Sequence, residues 1–338
     1  MIIGVPKEIK NNEYRVGLTP NSVRELVKNN HEVYIQKDAG SEIGFSNSEY
    51  KEAGALIVHT ASELYESSEL IVKVKEPIPE EFHYLNNKHT VFAYLHLAGD
   101  PKTGLDLART GVTGIALETV TADDGSMPLL SPMSSIAGQL SIVVGSYHLL
   151  KPNRGMGTLI GAMSDVERRV VTVIGAGVAG TMAIEKAIDN KAHVKIIDLS
   201  QKRLDGLRTI YGESDIEYIL STDSSIEESI KKSDLVIGAV YVIGKQAPKV
   251  VKNSMLKKMK PGAVIVDISI DQGGCFESSR PTTHDNPTYE QDGIIHYCVT
   301  NMPGAVPLTA TEALNKATLP YVLELANKGV EKALNENQ

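Results

Sequence analysis

Short runs of β-branched and other apolar residues recur along this chain, and the gaps between them carry helical patterns. The runs are IIGV, HEVYI, LIVKV, TVFAYL and VTGIAL, then VVTVIG, HVKIID, DLVIGAV, AVIVDI and IIHYCV, at intervals of about 20–30 residues. A strand with one wet face alternates apolar and polar residues. These runs do not alternate strictly, so both of their faces must be covered. Strands covered on both faces, with helices between them, give an α/β fold with mainly parallel sheets. Two groups of five runs predict two such sheets. A single core stops growing at roughly 250–300 residues, so a chain of 338 also favours two domains.

Between the groups, residues 132–150 place Ile136, Leu140, Val143 and Tyr147 at spacings of three or four, which predicts a long helix joining the domains. A second helical pattern over residues 309–334 closes the chain, and Pro320 is expected to kink it. The formal net charge is -8 and the Lys and Arg residues form no basic block, so nucleic acid is not an expected partner. The run LSIVVG is far shorter than a membrane span, and the opening MIIGVPKEIK lacks the apolar core of a signal peptide. The expected setting is therefore cytoplasmic, with no membrane partner. Cys275 and Cys298 suit a reducing compartment as packing residues, and neither has metal-ligand spacing to a histidine, so no metal is expected.

The stretch VTVIGAGVAG follows a buried-strand pattern and precedes a helical one. That context gives its glycines distinct tasks: Gly175 permits a tight turn, Gly177 lets backbone approach a pyrophosphate, and Gly180 allows close packing of helix on strand. The helix start, at Val178 and Ala179, would face the anion. The next strand ends in Asp198, about 20 residues on, where a carboxylate accepts hydrogen bonds from ribose hydroxyls. Asp198 would repel a 2'-phosphate, which favours NAD over NADP; Lys202 and Arg203, close behind, weigh the other way.

Ligands of open parallel sheets bind at the carboxyl ends of the strands. Arg15 follows the first strand, Lys75 ends the third, His96 the fourth, and Asp271 follows AVIVDISI. Two cations, an imidazole and a carboxylate suit an oxoacid or amino-acid substrate. Arg15 and Lys75 would hold a carboxylate, and His96 would exchange a proton near neutrality. Each also has a plainer reading: a solvated Lys, an Arg paired with a neighbour such as Glu13, a structural His.

The stretches GVPKEIKNNEYRVGLTPNSV, IVKVKEP, LHLAGDP, LLSPMSSIAGQ, VIGAGVAG, DISIDQGGCFESSRPTTHDNPTY and HYCVTNMPGAVP, in this order, resemble the alanine dehydrogenase / pyridine nucleotide transhydrogenase family over nearly the whole chain. The resemblance implies NAD-dependent, reversible oxidative deamination of L-alanine to pyruvate and ammonium by a homohexamer with two Rossmann-like domains. It implies a substrate domain of residues 1–132 plus 305–338 and an NAD-binding domain of residues 133–304. By motif position it assigns His96 and Asp271 to catalysis and Arg15, Lys75 and Met133 to substrate. To the cofactor it assigns Ser134, the turn from Gly175 to Gly180, Asp198, Arg203, Ser221, Asn301 and Met302. Gly17 stands where alanine is usual, Asn30 where glycine usually ends the first helix, and GAMSDVERR replaces a glycine- and proline-bearing loop. The chain also stops soon after NKG, where relatives continue. The open alternatives are an NAD(H)-binding transhydrogenase-like subunit, a non-catalytic nucleotide-binding protein, and a lysine or saccharopine dehydrogenase.

Overall fold

A computed structural model describes residues 1–97, 100–161, 163–242 and 245–337. Ala98 and Gly99 of LHLAGDP and Ala162 of the 161–169 stretch lie outside the described residues. The chain divides into two compact units, Met1–Met133 with Gly304–Gln338, and Ser134–Pro303.

The first unit is built on strands β1 (Ile2–Val5), β2 (Glu32–Gln36), β3 (Leu56–Val58), β4 (Leu70–Val72), β5 (Thr90–Ala93) and β6 (Thr113–Ala116). They form one all-parallel sheet in the order β3-β2-β1-β4-β5-β6. The order reverses between β1 and β4, so the chain leaves these two neighbours toward opposite sides and opens a crevice at their carboxyl ends. β4 and β5 are buried along their whole length, as their unbroken apolar runs require. A cluster of Leu64, Tyr65, Ile71, Leu85, Val91, Ala93, Leu95 and Leu107 packs around them.

The second unit carries β7 (Val170–Ile174), β8 (His193–Asp198), β9 (Ile216–Leu220), β10 (Leu235–Gly238), β11 (Val264–Asp267), β12 (Thr288–Gln291) and β13 (Ile294–Tyr297). Their order is β12-β13-β11-β10-β7-β8-β9, parallel except for β12 at the edge. Here the reversal falls between β7 and β10, beside the glycine turn. The sheets thus hold six and seven strands where the apolar runs mark five each; β3, β9 and β12 are the additions.

The joining helix spans Ser131–His148. Its stripe divides: Ile136 is buried, whereas Val143 and Tyr147 are 52% and 58% exposed. The closing pattern is two helices, Pro307–Lys328 and Val330–Glu336, separated at Gly329. The first runs on through Pro320; Pro320 and Lys316, whose carbonyl loses its partner, both lie on the exposed face, where water can take up the carbonyl. Gly17 has a local reason: a Cβ there would stand 2.3 Å from the Val72 carbonyl oxygen, so alanine requires the two segments to part. Asn30 takes φ +64°, a left-handed conformation that Asn tolerates as a stand-in for glycine.

Candidate active site

In the first unit the chain beyond β4 and β5 brings two of the nominated residues together. The Lys75 ammonium lies 3.2 Å from His96 Nε2. An ammonium has only donors, so in this contact Nε2 can only accept. The ring of His96 stacks on Tyr94, with centroids 5.9 Å apart and planes 20° from parallel. Tyr94 is itself fixed, its hydroxyl donating to the Leu129 carbonyl at 2.6 Å, and burial pushes that phenol above its ordinary value. His96 takes φ +48°, a conformation few residues other than glycine adopt. Its amide and that of Leu95 donate to the Glu118 carboxylate, His96 at 2.6 Å and Leu95 at 3.2 Å.

Arg15 is 2% exposed. Its Nε and Nη2 donate to the two oxygens of Glu13, a bidentate pair, and Nη1 lies 3.2 Å from Met133 Sδ. Burial works against the guanidinium charge, but Glu13 outweighs it and holds the group above its ordinary value. The plainer reading of Arg15, a neighbour's partner, is therefore part of its structure. Beneath Lys75 lies a second buried network. Glu8 Oε1 accepts the Val74 amide at 2.7 Å and the Lys75 amide at 3.2 Å. The Lys73 ammonium bridges Glu8 at 3.2 Å and Glu81 at 2.8 Å, and Tyr65 donates to Glu81 at 2.9 Å. Burial lifts the Glu8 carboxyl above the usual carboxylate range, with Lys73 opposing.

In the second unit Gly175 has φ +92°, and a Cβ on it would meet the Ala239 carbonyl at 2.5 Å. A Cβ on Gly180 would meet the Gly175 carbonyl at 1.8 Å, so helix and strand approach too closely for any side chain. At Gly177 the surroundings are open, with nothing within 4 Å of the same position. Gly177 caps the helix Val178–Asp189 without a side-chain hydrogen bond, and Val178 and Ala179 supply its first amides. An open backbone and an uncapped helix start fit the pyrophosphate of a dinucleotide. Asp198 Oδ2 accepts the Ala176 amide and Oδ1 the Ser200 amide, both at 2.8 Å. Ser221 follows β9, its amide donating to the Asp198 carbonyl at 2.9 Å. Arg203 folds back on the turn, Nε to the Ala176 carbonyl at 2.8 Å and Nη2 to Thr181 Oγ1 at 2.6 Å.

Asp271 is exposed in the short helical turn Ile268–Gln272 after β11. Its Oδ1 accepts the Asn301 amide at 3.3 Å, and Asn301 itself has φ +58°. Met302 is buried in the core of this unit. Met133 and Ser134 lie in the first turn of the joining helix, where the two units part. The buried carboxylate of the region is Asp267, which accepts the amides of Ser269 and Cys275 and the Ser279 hydroxyl. Burial lifts its carboxyl and the thiols of both cysteines, Cys298 to about 11. Both cysteines are free and buried, as packing residues are.

Sequence reasoning had not singled out Glu8, Glu118 or Tyr94. Tyr94 was within reach, since it shares the strand run that ends at His96; the carboxylates act across 67 and 22 residues of chain.

Models of the alanine dehydrogenase/PNT N-terminal and C-terminal domains match residues 4–137 and 141–338. An alanine dehydrogenase of Mycolicibacterium smegmatis is 51% identical, covering 98% of this chain and 90% of its own. One of Methanococcus maripaludis is 47% identical, covering 100% and 90%. A solved L-alanine dehydrogenase superposes with a TM-score of 0.95 at 47% identity, covering 100% of this chain and 92% of its own. A transhydrogenase structure from Sinorhizobium meliloti, at 24% identity and TM-score 0.84 over 96% of this chain and 94% of its own, shares the fold. By its two matched domains and its identity to these relatives along its whole length, the chain belongs to the alanine dehydrogenase/PNT family.

Proposed function

We propose that this chain is an L-alanine dehydrogenase that converts L-alanine and water to pyruvate and ammonium, reversibly, with NAD as the oxidant. The observation that carries the reading is the Lys75–His96 pair, an amine and an imidazole in hydrogen-bond contact. The glycine turn and Asp198 would hold NAD, which would supply the hydride acceptor for the substrate α-carbon. Lys75, with Arg15, holds the substrate carboxylate and fixes which face of the α-carbon is presented. His96, already oriented by Tyr94 and Glu118, moves protons at the substrate nitrogen and oxygen. Asp271 is the second proton carrier, serving the water that replaces the amine. Met133, against Arg15, lines the substrate side.

The preference for NAD over NADP rests on Asp198, whose charge opposes a 2'-phosphate. Arg203 directs Nε and Nη2 to Ala176 and Thr181 of the glycine turn, which leaves Asp198 as the group placed for the ribose. Ser134, Ser221, Asn301 and Met302 complete the cofactor side. The reading also includes a homohexamer in the cytoplasm; the support is the family membership, the absence among the described residues of any helix long and apolar enough to cross a membrane, and the exposed Val143 and Tyr147.

The test is NADH absorbance with purified protein over a panel of small amino acids and their oxoacids. L-alanine should be oxidised fastest and more rapidly toward alkaline pH, because its amine must lose a proton before hydride leaves. Protein that binds NADH yet oxidises no amino acid would shift the reading to a transhydrogenase-like or sensing role.

A further inference from the structure

The ladder between β1 and β4 ends at the Gly4–Ile71 pair, because the chain after β1 turns away to build the loop that carries Arg15. The β4 side runs on. Lys73 still donates to the Phe92 carbonyl and Tyr94 to the Val74 carbonyl, so the β5 side stays paired. Past β4 the backbone bends at Val74 and Lys75, so that their consecutive amides, which would point to opposite sides of a strand, both turn to one acceptor. Glu8 is that acceptor: its Oε1 takes both amides, at 2.7 and 3.2 Å, from a side chain that is itself buried. Glu8 lies in the loop that leads to Arg15, so one carboxylate joins the segments bearing the two cations assigned to the substrate carboxylate. Lys73, itself held by Glu81, holds Glu8 from behind.

We propose that Glu8 is a positioning residue: by gripping the Val74 and Lys75 amides it fixes where the Lys75 ammonium stands relative to His96 and to the Arg15 loop, and so sets affinity for the substrate carboxylate. The inference rests on the alanine dehydrogenase reading for its substrate and on the hydrogen bonds alone for its geometry. What matters is the reach of the side chain, and its charge is secondary. An acceptor at the right distance keeps Lys75 in place, whereas a shorter carboxylate keeps the charge beside Lys73 and releases the amides.

The experiment compares Glu8→Asp with Glu8→Gln in the full chain. Glu8→Asp should raise KM for pyruvate and for alanine about tenfold or more, with kcat changed by no more than a few fold, since misplacing a binding group by about 1 Å costs up to about 10². Glu8→Gln keeps its oxygen at full reach for the two amides while its NH2 faces Lys73, which retains Glu81; it should lower the unfolding temperature yet stay within about threefold of wild type in KM. A role in stability alone would instead lower the active fraction, and with it apparent kcat, at unchanged KM. The proposal is overturned if Glu8→Asp keeps wild-type KM, or if Glu8→Gln raises KM as much as Glu8→Asp. A second readout needs no turnover: the ring resonances of His96, in histidine-labelled protein, should move in Glu8→Asp and hold in Glu8→Gln, because Lys75 leaves Nε2 only in the first. Wild-type protein that oxidises no alanine and reduces no pyruvate would sink the functional reading, and the His96 resonances would then decide the positioning claim by themselves.

Discussion

Arg15 and Asp271 show how differently two residues at strand ends can be held. Arg15 is buried in a bidentate pair with Glu13, a geometry that fixes the plane of the guanidinium before any ligand arrives. Asp271 is exposed, and its Oδ1 accepts the Asn301 amide. The chemistry of an exposed carboxylate can be removed without disturbing a core. Asp271→Asn keeps the shape and removes the acceptor. Alanine turnover should fall by about 10²-fold or more, the scale of a lost acid-base group, with NADH affinity little changed. His96→Ala should do likewise. Calorimetry with NADH beside steady-state assays checks both, and near wild-type turnover in Asp271→Asn would remove that residue from the mechanism. At this scale what the sequence made legible is where the nominated residues stand, beyond the strands, and even the Glu13 partner of Arg15 lies two residues away. Glu8 and Glu118 were not legible, since their partners are backbone amides far along the chain, and no sequence pattern marks an amide that lacks a strand.

The glycine turn depends on an element outside its own strand–turn–helix unit. A Cβ on Gly138, in the joining helix, would stand 2.1 Å from the Ala179 carbonyl. The helix therefore lies backbone to backbone against the first turn of the cofactor helix. Gly138→Ala must push that turn, at about 1–3 kcal/mol for an overpacked contact. Because the displaced carbonyl belongs to the helix turn proposed for the pyrophosphate, NADH affinity should drop about tenfold or more, with a lowered unfolding temperature; titration of NADH fluorescence measures it, and an unchanged Kd would separate this helix from the proposed cofactor site. Edge strand β12 packs over β13, where His296 is wholly buried, with Nδ1 toward the Ile294 carbonyl at 3.0 Å and Nε2 toward the Ser278 hydroxyl at 2.8 Å. Burial holds its pKa below the ordinary value of 6.5. A depressed histidine contributes stability in full above the unfolded value and loses it as pH falls through the folded one. The drop in urea midpoint between pH 7.5 and pH 5.5 should accordingly be smaller in His296→Asn than in wild type; an equal drop would place the pH sensitivity elsewhere. The strands missed in the sequence are short and incompletely covered. β3 and β12 contain no fully buried residue, and β9 buries only Ile216, so none shows the unbroken apolar run that reveals a central strand.

For the whole molecule, assembly is the property whose support is least local. The described surface of the joining helix leaves Val143 and Tyr147 about half exposed, one turn apart, with Leu140 beside them only partly covered. Other positions of the same helix, Ala137 and Ile142, are sealed in the core of the second unit. A helix that is apolar at exposed positions as well is under-partnered in a lone chain, and an extended apolar stripe is what a second copy covers in an obligate oligomer. Charge introduced there should act on assembly without unfolding the chain, because neither side chain supports the core. Wild-type protein at micromolar concentration is therefore expected to sediment as an oligomer, and Val143→Lys with Tyr147→Lys to shift it toward monomer while far-ultraviolet circular dichroism stays the same. If the wild type sediments as a monomer, the hexamer falls. If the double variant assembles as the wild type does, this stripe is not the contact, and the interface must lie on other surfaces of the chain.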